Sequence, residues 1–236
     1  MVETGRRYGV RNSLVDWNRS IPPRILEREA VTPVVFIVDS DVWMRDSLGL
    51  VIQQAGWRSE TFASARSFLA YPRVHAPSCL VLDLTLPDLS GLDLQERLAT
   101  ERTDMPIIFA TGNSDVSMAV QAMKAGAVEF LIKPFSVERM LAAIRSALDS
   151  SRTTLGYEAE MQTLRGRYAS LSHREREVMA LVTTGLMNKR IGGELGISEV
   201  TVKAHRGKAM HKMKAESLAD LVTMAARLHG EPAPVG

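Results

Sequence analysis

The stretch from Cys79 to Leu94, CLVLDLTLPDLSGLDL, constrains the fold of this chain more than any other. It begins with four apolar residues that form a run of strand length and end at the acid Asp83. A turn rich in proline, aspartate, serine and glycine then leads into an amphipathic segment that starts at Leu92. An apolar strand followed by a helix is typical of a parallel sheet covered on both faces. Because ligands of such sheets bind at the carboxyl ends of the strands, we take Asp83 as the candidate functional centre.

The same alternation of apolar strands and amphipathic helices runs through residues 34–150. The predicted strands are Val34–Val38, Trp57–Phe62, Ser78–Leu82, Pro106–Ala110 and Glu129–Ile132. The predicted helices are Val42–Ala55, Ser64–Tyr71, Leu92–Thr100, Asp115–Ala125 and a last one from Val137 to about Ser150. Five strands alternating with five helices predict an α/β domain with a doubly wound five-stranded parallel sheet.

Polar side chains stand directly after four of the five predicted strands. Asp39 and Asp41 follow the first strand, Asp83 the third, Thr111 the fourth and Lys133 the fifth. The carboxyl ends of parallel strands share one edge of the sheet, so we expect these side chains to converge. Clustered carboxylates repel one another unless a cation joins them, and such oxygen ligands suit Mg²⁺. The residues therefore predict a site where the metal, Lys133 and Thr111 stabilise a phosphoryl group in transfer to Asp83.

The last third of the chain carries the signals of an all-α domain. Ser172 and Glu175 form a capping box, and Gly185 and Gly196 are placed to end helices. The predicted helices are Arg174–Thr184, Lys189–Leu195, Glu199–Lys214 and a last one from Ser217 through Leu228. A short helix, a tight turn and a capped longer helix predict a helix-turn-helix within a four-helix domain at residues 169–230.

Charge and composition limit the function classes. Residues 34–151 hold ten basic and fourteen acidic side chains, whereas residues 152–236 hold thirteen basic and nine acidic ones. This asymmetry favours a regulatory or metal-binding domain joined to one that binds a polyanion. Residues 1–33 show no clear period and are predicted to be a disordered extension, and 151–168 are predicted to be a linker, part flexible and part helical.

A cytoplasmic location with no membrane contact is expected. The one cysteine, Cys79, excludes an internal disulfide and suits a reducing compartment. No stretch approaches the ~18 apolar residues that a membrane span needs. The arginines near the N-terminus have no apolar segment behind them, so a signal peptide is not expected.

Residues 34–150 resemble the receiver domain of two-component response regulators, of which the chemotaxis protein CheY is a single-domain member. The matching residues are Val38-Asp39, Leu82-Asp83, Pro87, Gly91, Thr111-Gly112, Ala125-Gly126-Ala127 and Lys133-Pro134-Phe135. The resemblance implies that a histidine kinase phosphorylates Asp83, that Lys133 pairs with the phosphoryl oxygens, and that Thr111 is the switch hydroxyl. It also implies that Phe130 turns inward with Thr111, that the Thr85 carbonyl binds Mg²⁺ beside Asp39 and Asp83, and that the Lys133–Pro134 peptide is cis.

The C-terminal segment resembles the LuxR-type DNA-binding domain. The resemblance rests on Leu171-Ser172, Arg174-Glu175-Arg176-Glu177-Val178, Gly185, Asn188-Lys189, Ile191, Leu195-Gly196-Ile197-Ser198, Thr201-Val202-Lys203, His205, Lys212-Met213 and Ser217. A receiver joined to this domain defines the NarL/FixJ family, and SMAVQAMKAGAVEFLIK at Ser117–Lys133 favours its FixJ-like branch. By resemblance, Lys203, Ala204 and Gly207 face the major groove, and Lys189, Thr201, Arg206 and Lys208 are candidate phosphate or flanking contacts.

One departure from the receiver pattern leaves an alternative open. The family usually has a second acid after the first strand, as a direct Mg²⁺ ligand, and this chain has Ser40 there. Asp41 is the candidate to replace it; otherwise Mg²⁺ affinity falls and the receiver is degenerate and independent of phosphorylation. An enzyme reading, an aspartate-nucleophile phosphatase, requires a general acid two residues after Asp83, where Thr85 stands.

The sequence thus predicts a response regulator that is not an enzyme beyond its own phosphorylation. Its expected partners are a sensor histidine kinase, a second copy of the chain after phosphorylation, double-stranded DNA with promoter half-sites, and RNA polymerase.

Overall fold

The structure, a computed structural model, describes residues 32–112 and 115–230. The predicted disordered extension lies outside the described residues, except for Thr32 and Pro33. Within the described part, the chain from Thr32 onward forms one compact unit with two cores flanking a sheet and a third core among C-terminal helices.

The first domain is built on five parallel strands in the order β2-β1-β3-β4-β5. Their bounds are β1 Val34–Val38, β2 Arg58–Phe62, β3 Ser78–Leu82, β4 Ile107–Thr111 and β5 Glu129–Ile132. All residues of β1, β3 and β4 are buried, as expected for strands covered on both faces. The predicted five-stranded doubly wound sheet is confirmed.

Helices cover both faces of the sheet. Their bounds are α1 Val42–Gln54, α2 Ala65–Leu69, α3 Gly91–Glu101, α4 Val116–Lys124 and α5 Val137–Ala169. The side chains of α1 and α5 pack on one face, around Ile52 and Ile144. Those of α2, α3 and α4 pack on the other, around Phe68 and Leu98. Ser90 and Ser136 cap α3 and α5.

The last helix of this domain is far longer than predicted. We expected it to end near Ser150 and a linker, part flexible and part helical, to follow, but α5 is 33 residues long and ends at Ala169. Ser151 is buried against the first domain, where its hydroxyl accepts from the Ser78 N–H at 3.0 Å and donates to the Asp104 carbonyl at 2.7 Å. Tertiary contacts at both ends thus favour helix in a segment whose own sequence does not.

Four further helices complete the C-terminal domain: α6 His173–Thr183, α7 Asn188–Leu195, α8 Glu199–Met213 and α9 Leu218–His229. The capping box of Ser172 and Glu175 is present at the start of α6. Helix α7 ends at Gly196 in the left-handed conformation, and Ser198 caps α8. The predicted four-helix unit with a helix-turn-helix at α7 and α8 is confirmed, with bounds that shift by one residue.

None of the helices in the described part of the chain is long and apolar enough to span a bilayer.

Candidate functional site

Asp39, Asp83 and Lys133 meet at the carboxyl edge of the sheet. Val38 of β1 lies opposite Leu82 of β3, so the aspartates that follow these residues are neighbours. The Lys133 Nζ donates to Asp39 Oδ2 at 2.6 Å and to Asp83 Oδ2 at 3.2 Å. The side chains are 4%, 11% and 17% exposed for Asp39, Asp83 and Lys133, so water screens the charges only in part. The structure therefore brings together three side chains that the sequence predicts to converge.

The lysine in this cluster is held in its charged form. Burial alone lowers the pKa of Lys133, but the hydrogen bonds and negative charges of Asp39 and Asp83 outweigh burial, and the pKa is raised above its ordinary value. The formal charges of the two aspartates and the lysine sum to −1. The cluster can therefore accept a cation, and Lys133 is an ammonium ready to pair with an anionic group on Asp83.

The loop after β3 shapes the site around Asp83. The Thr85 N–H donates to Asp83 Oδ1 at 3.1 Å and orients the carboxylate. A Cβ built on Gly91 would lie 2.5 Å from the Asp83 carbonyl oxygen, so only glycine fits where α3 begins. Asp88 accepts from the backbone N–H groups of Ala65 and Arg66 and thus ties this loop to α2.

Thr111 and Phe130 flank the cluster on β4 and β5. Thr111 is fully buried at the end of β4. Phe130 is half-buried and its ring centroid lies 6.0 Å from that of Phe109. Thr111 ends β4 at the edge that holds Asp83, whereas Phe130 lies within β5 opposite Phe109, and their roles as switch residues stay predictions.

Asp41 is bonded to the start of α1, and its role as a metal ligand stays a prediction. Its Oδ1 accepts from the N–H groups of Trp43 at 2.9 Å and Met44 at 3.4 Å, so Asp41 is the N-cap of α1. Ser40 is exposed, and its carbonyl accepts from the Arg45 guanidinium at 3.0 Å. In residues 32–112 and 115–230, no group of three acidic, histidine or cysteine side chains could hold a metal ion.

Two carboxylates at this edge nevertheless fit Mg²⁺. The ion is commonly held by one or two carboxylates, with water and phosphate oxygens completing its shell. Asp39 and Asp83 provide those two groups, and the oxygen of the neighbouring Thr85 carbonyl is of the same hard type.

The second candidate surface is the exposed side of α8. Val202, Ala209 and Met213 are buried in the C-terminal core and mark the inner face of this helix. Among the predicted DNA contacts, Lys189, Lys203, Ala204, Gly207 and Lys208 are exposed, and Thr201 and Arg206 are half-buried. A Cβ on Gly207 would meet nothing within 4 Å, so no packing within the protein requires this glycine.

Lys212 lies on the same helix but is part of the scaffold. Its Nζ donates to Glu175 Oε2 at 2.6 Å and to the Ser170 carbonyl at 3.2 Å, which fixes α8 against the start of α6. The hydrogen bond from Lys212, together with the N–H of Ser172, lowers the pKa of Glu175 to about 2. Sequence reasoning recognised Glu175 as a capping residue and missed Lys212, Arg45 and Asp88, because partners distant in sequence leave no local pattern.

These two sites define the class of the protein. A carboxylate–lysine cluster at the edge of a parallel sheet, joined to a helix-turn-helix with a basic exposed helix, is the design of a transcriptional response regulator.

Comparison with known proteins agrees. Residues 35–145 match the response regulator receiver domain family, and residues 169–225 match the luxR family of bacterial regulatory proteins. Nodulation protein W of Bradyrhizobium diazoefficiens is 46% identical over 195 residues, covering 83% of this chain and 86% of its own. Transcriptional regulatory protein FixJ of the same organism is 41% identical over 194 residues, covering 82% and 94%.

Two solved structures match both domains. The response regulator StyR is 43% identical and superposes with a TM-score of 0.76 over 84% of this chain and 100% of its own. Full-length FixJ from B. japonicum is 40% identical and gives a TM-score of 0.50 over 84% and 98%. The chain belongs to the NarL/FixJ family of two-component response regulators, on its FixJ-like branch.

Proposed function

We propose that a sensor histidine kinase phosphorylates Asp83 and that phosphorylation promotes dimerisation and binding to promoter DNA in the cytoplasm. The observation that carries the proposal is the contact of Lys133 with both Asp39 and Asp83 at the sheet edge. In this transfer an Asp83 carboxylate oxygen attacks the phosphorus of the kinase phosphohistidine. The new O–P bond forms as the N–P bond breaks, and the electron pair of that bond stays on the imidazole of the kinase.

The chain's own residues support each part of this step. Lys133 is charged and within hydrogen-bond distance of Asp83. Its ammonium group can therefore donate a hydrogen bond to the phosphoryl oxygens once Asp83 is phosphorylated. Asp39, Asp83 and the Thr85 carbonyl would hold a Mg²⁺ ion, which would supply further charge neutralisation. A phosphoryl group on Asp83 offers acceptor oxygens to the Thr111 hydroxyl, whose movement would give Phe130 space to turn inward.

The surface next to this switch can support a dimer. Val116, Val120, Ile132 and Val137 are apolar and exposed on α4, β5 and the start of α5. Large apolar side chains that are exposed to water favour association with another protein where they form a patch. A dimer would present two α8 helices to adjacent half-sites on DNA, where RNA polymerase is a further expected partner.

A direct test compares the parent protein with and without a phosphodonor. We expect acetyl phosphate with Mg²⁺ to add one phosphoryl group and to tighten DNA binding about 5- to 150-fold, the usual range of coupling between two sites. The DNA is a duplex selected from a random pool by the phosphodonor-treated protein, and affinity is measured by fluorescence anisotropy. Phosphorylation with equal DNA affinities would contradict the switch.

Ser40 favours a second candidate function. In this candidate the protein is a DNA-binding regulator whose receiver does not respond to phosphorylation. Ser40 adds no charge to the pocket, and the Asp41 carboxylate caps α1. This candidate predicts that acetyl phosphate changes neither covalent mass nor DNA affinity.

We expect Ser40→Asp to raise the affinity for Mg²⁺ at least about tenfold, because an added carboxylate near the ion contributes attraction even at an effective dielectric constant of about 20. Calorimetric titration with Mg²⁺ measures the change. Ser47→Asp adds the same charge at an exposed position of α1 and is the matched control. Equal Mg²⁺ affinities in the parent and in Ser40→Asp would show that position 40 does not face the ion.

A further inference from the structure

We propose that Gly156 is a hinge in α5, at which the helix opens so that the two DNA-binding domains of a dimer reach half-sites at more than one spacing. The inference rests on the proposed function, because it concerns the dimer on DNA.

Helix α5 is anchored at two places by different cores. Ser151 is buried and bonded to Ser78 and Asp104 of the first domain. Met161 and Leu164 are buried in the core of the C-terminal domain. About ten residues, or roughly 15 Å of helix, separate these anchors. Each end of α5 is therefore held by its own domain.

The segment between the anchors, residues 152–160, has no such support. None of its side chains is buried. On its first half, Arg152 pairs with Asp149 of the preceding turn. On its second half, Tyr157 and Glu160 contact Arg227 of α9. Ion pairs at exposed positions contribute little, and Gly156 lies between these two sets of contacts.

The composition of this segment weakens it further. Thr153, Thr154 and Gly156 are poor helix formers that stand within four residues of one another. A helical stretch of this length is marginal in water when, as here, its tertiary contacts lie at exposed positions. A Cβ on Gly156 would meet nothing within 4 Å, so packing gives no reason for glycine here. Conformational freedom is the property that this residue adds.

The two solved relatives that match both domains superpose on this chain with different TM-scores. StyR and FixJ are nearly equal in identity and coverage, yet their TM-scores are 0.76 and 0.50. At 40% identity or more, each domain is expected to keep its fold. The difference between the two TM-scores therefore indicates that the two domains are arranged differently in StyR and in FixJ.

The test measures the distance between the two domains in solution. Spin labels are placed in the full chain at Glu96→Cys on α3 and Ala180→Cys on α6, both exposed. Cys79 is fully buried, which raises the pKa of its thiol and leaves it unlabelled. Pulsed electron–electron double resonance then gives the distribution of distances between the two spin labels.

We expect a broad distribution in the parent, a narrower one in Gly156→Ala and a broader one in Gly156→Pro. The alanine variant should reduce the population with an opened α5 about fivefold, as the helix propensities of glycine and alanine differ by ~1 kcal/mol. Gly166→Ala is the matched control, because Gly166 is also in α5 with open space around it but lies beyond the second anchor. Equal distributions in the parent and in Gly156→Ala, or equal narrowing by Gly166→Ala, would overturn the hinge.

A binding experiment separates the hinge from the proposed function. The selected duplex is rebuilt with its half-sites moved apart by about five base pairs, which is half a helical turn. We expect the phosphodonor to tighten binding of both proteins to the original duplex, and Gly156→Ala to lose more affinity than the parent on the rebuilt one. Equal losses would count against the hinge alone, whereas no phosphodonor effect on the parent would count against the proposed function alone.

Discussion

Asp83→Asn is expected to reduce phosphoryl incorporation from acetyl phosphate to background and to abolish the gain in DNA affinity. An amide is a far weaker nucleophile than a carboxylate, and it removes one of the two charges that Lys133 and a metal ion share. Intact-mass spectrometry of the treated protein measures incorporation, and anisotropy on the selected duplex measures affinity.

Asp46→Asn is the matched control for this substitution. Asp46 is an exposed acid on α1, so the same change in charge and size occurs outside the cluster. We expect parent-like incorporation in the control. Undiminished incorporation in Asp83→Asn would place the acceptor elsewhere and remove the basis of the proposed function.

Gly192→Ala is expected to disrupt the helix-turn-helix and to weaken DNA binding to the level of nonspecific association. A Cβ at this position would lie 2.7 Å from the Ile197 carbonyl oxygen. This oxygen belongs to the backbone of the turn between α7 and α8, which cannot move as easily as a flexible side chain. Forcing an extra methyl group into a packed site costs about 1–3 kcal/mol. Thermal unfolding and anisotropy on the selected duplex measure the two effects.

The adjacent glycine offers a close control. Gly193 is in the same helix, is exposed, and would place a Cβ in open space. Gly193→Ala should keep DNA binding and gain up to about 1 kcal/mol from its better helix propensity. If Gly192→Ala and Gly193→Ala unfold at the same temperature and bind DNA equally, the close approach of the Ile197 carbonyl does not constrain position 192.

Much of the fold and part of the site could be predicted because their signals are local. For four of the five strands, an apolar run ended by a polar residue predicts both the strand position and the edge where Asp39, Asp83 and Lys133 gather. The C-terminal helices carry their caps in the sequence, as Ser172 with Glu175 and Gly196 show.

What the sequence did not predict depends on partners far along the chain or on competing local bonds. Lys212 resembles the other cations of α8 until its partner on α6, 37 residues away, is known. Asp41 follows a strand like the other acids, yet the free N–H groups of α1 bind its carboxylate. The middle of α5 has weak helix propensity, and the anchors at both its ends favour its helical form.

The hydrogen bonds of the Ser151 hydroxyl bear on where a fragment that contains only the receiver domain should end. Similarity to the receiver family ends at residue 145, but Ala147 and Leu148 complete the packing against the sheet. A fragment that stops at the limit of similarity would lose this apolar contact and leave the Ser78 amide and the Asp104 carbonyl unpaired. The smallest receiver fragment that keeps these contacts therefore extends to Ser151, six residues beyond the match that sequence comparison assigns to it.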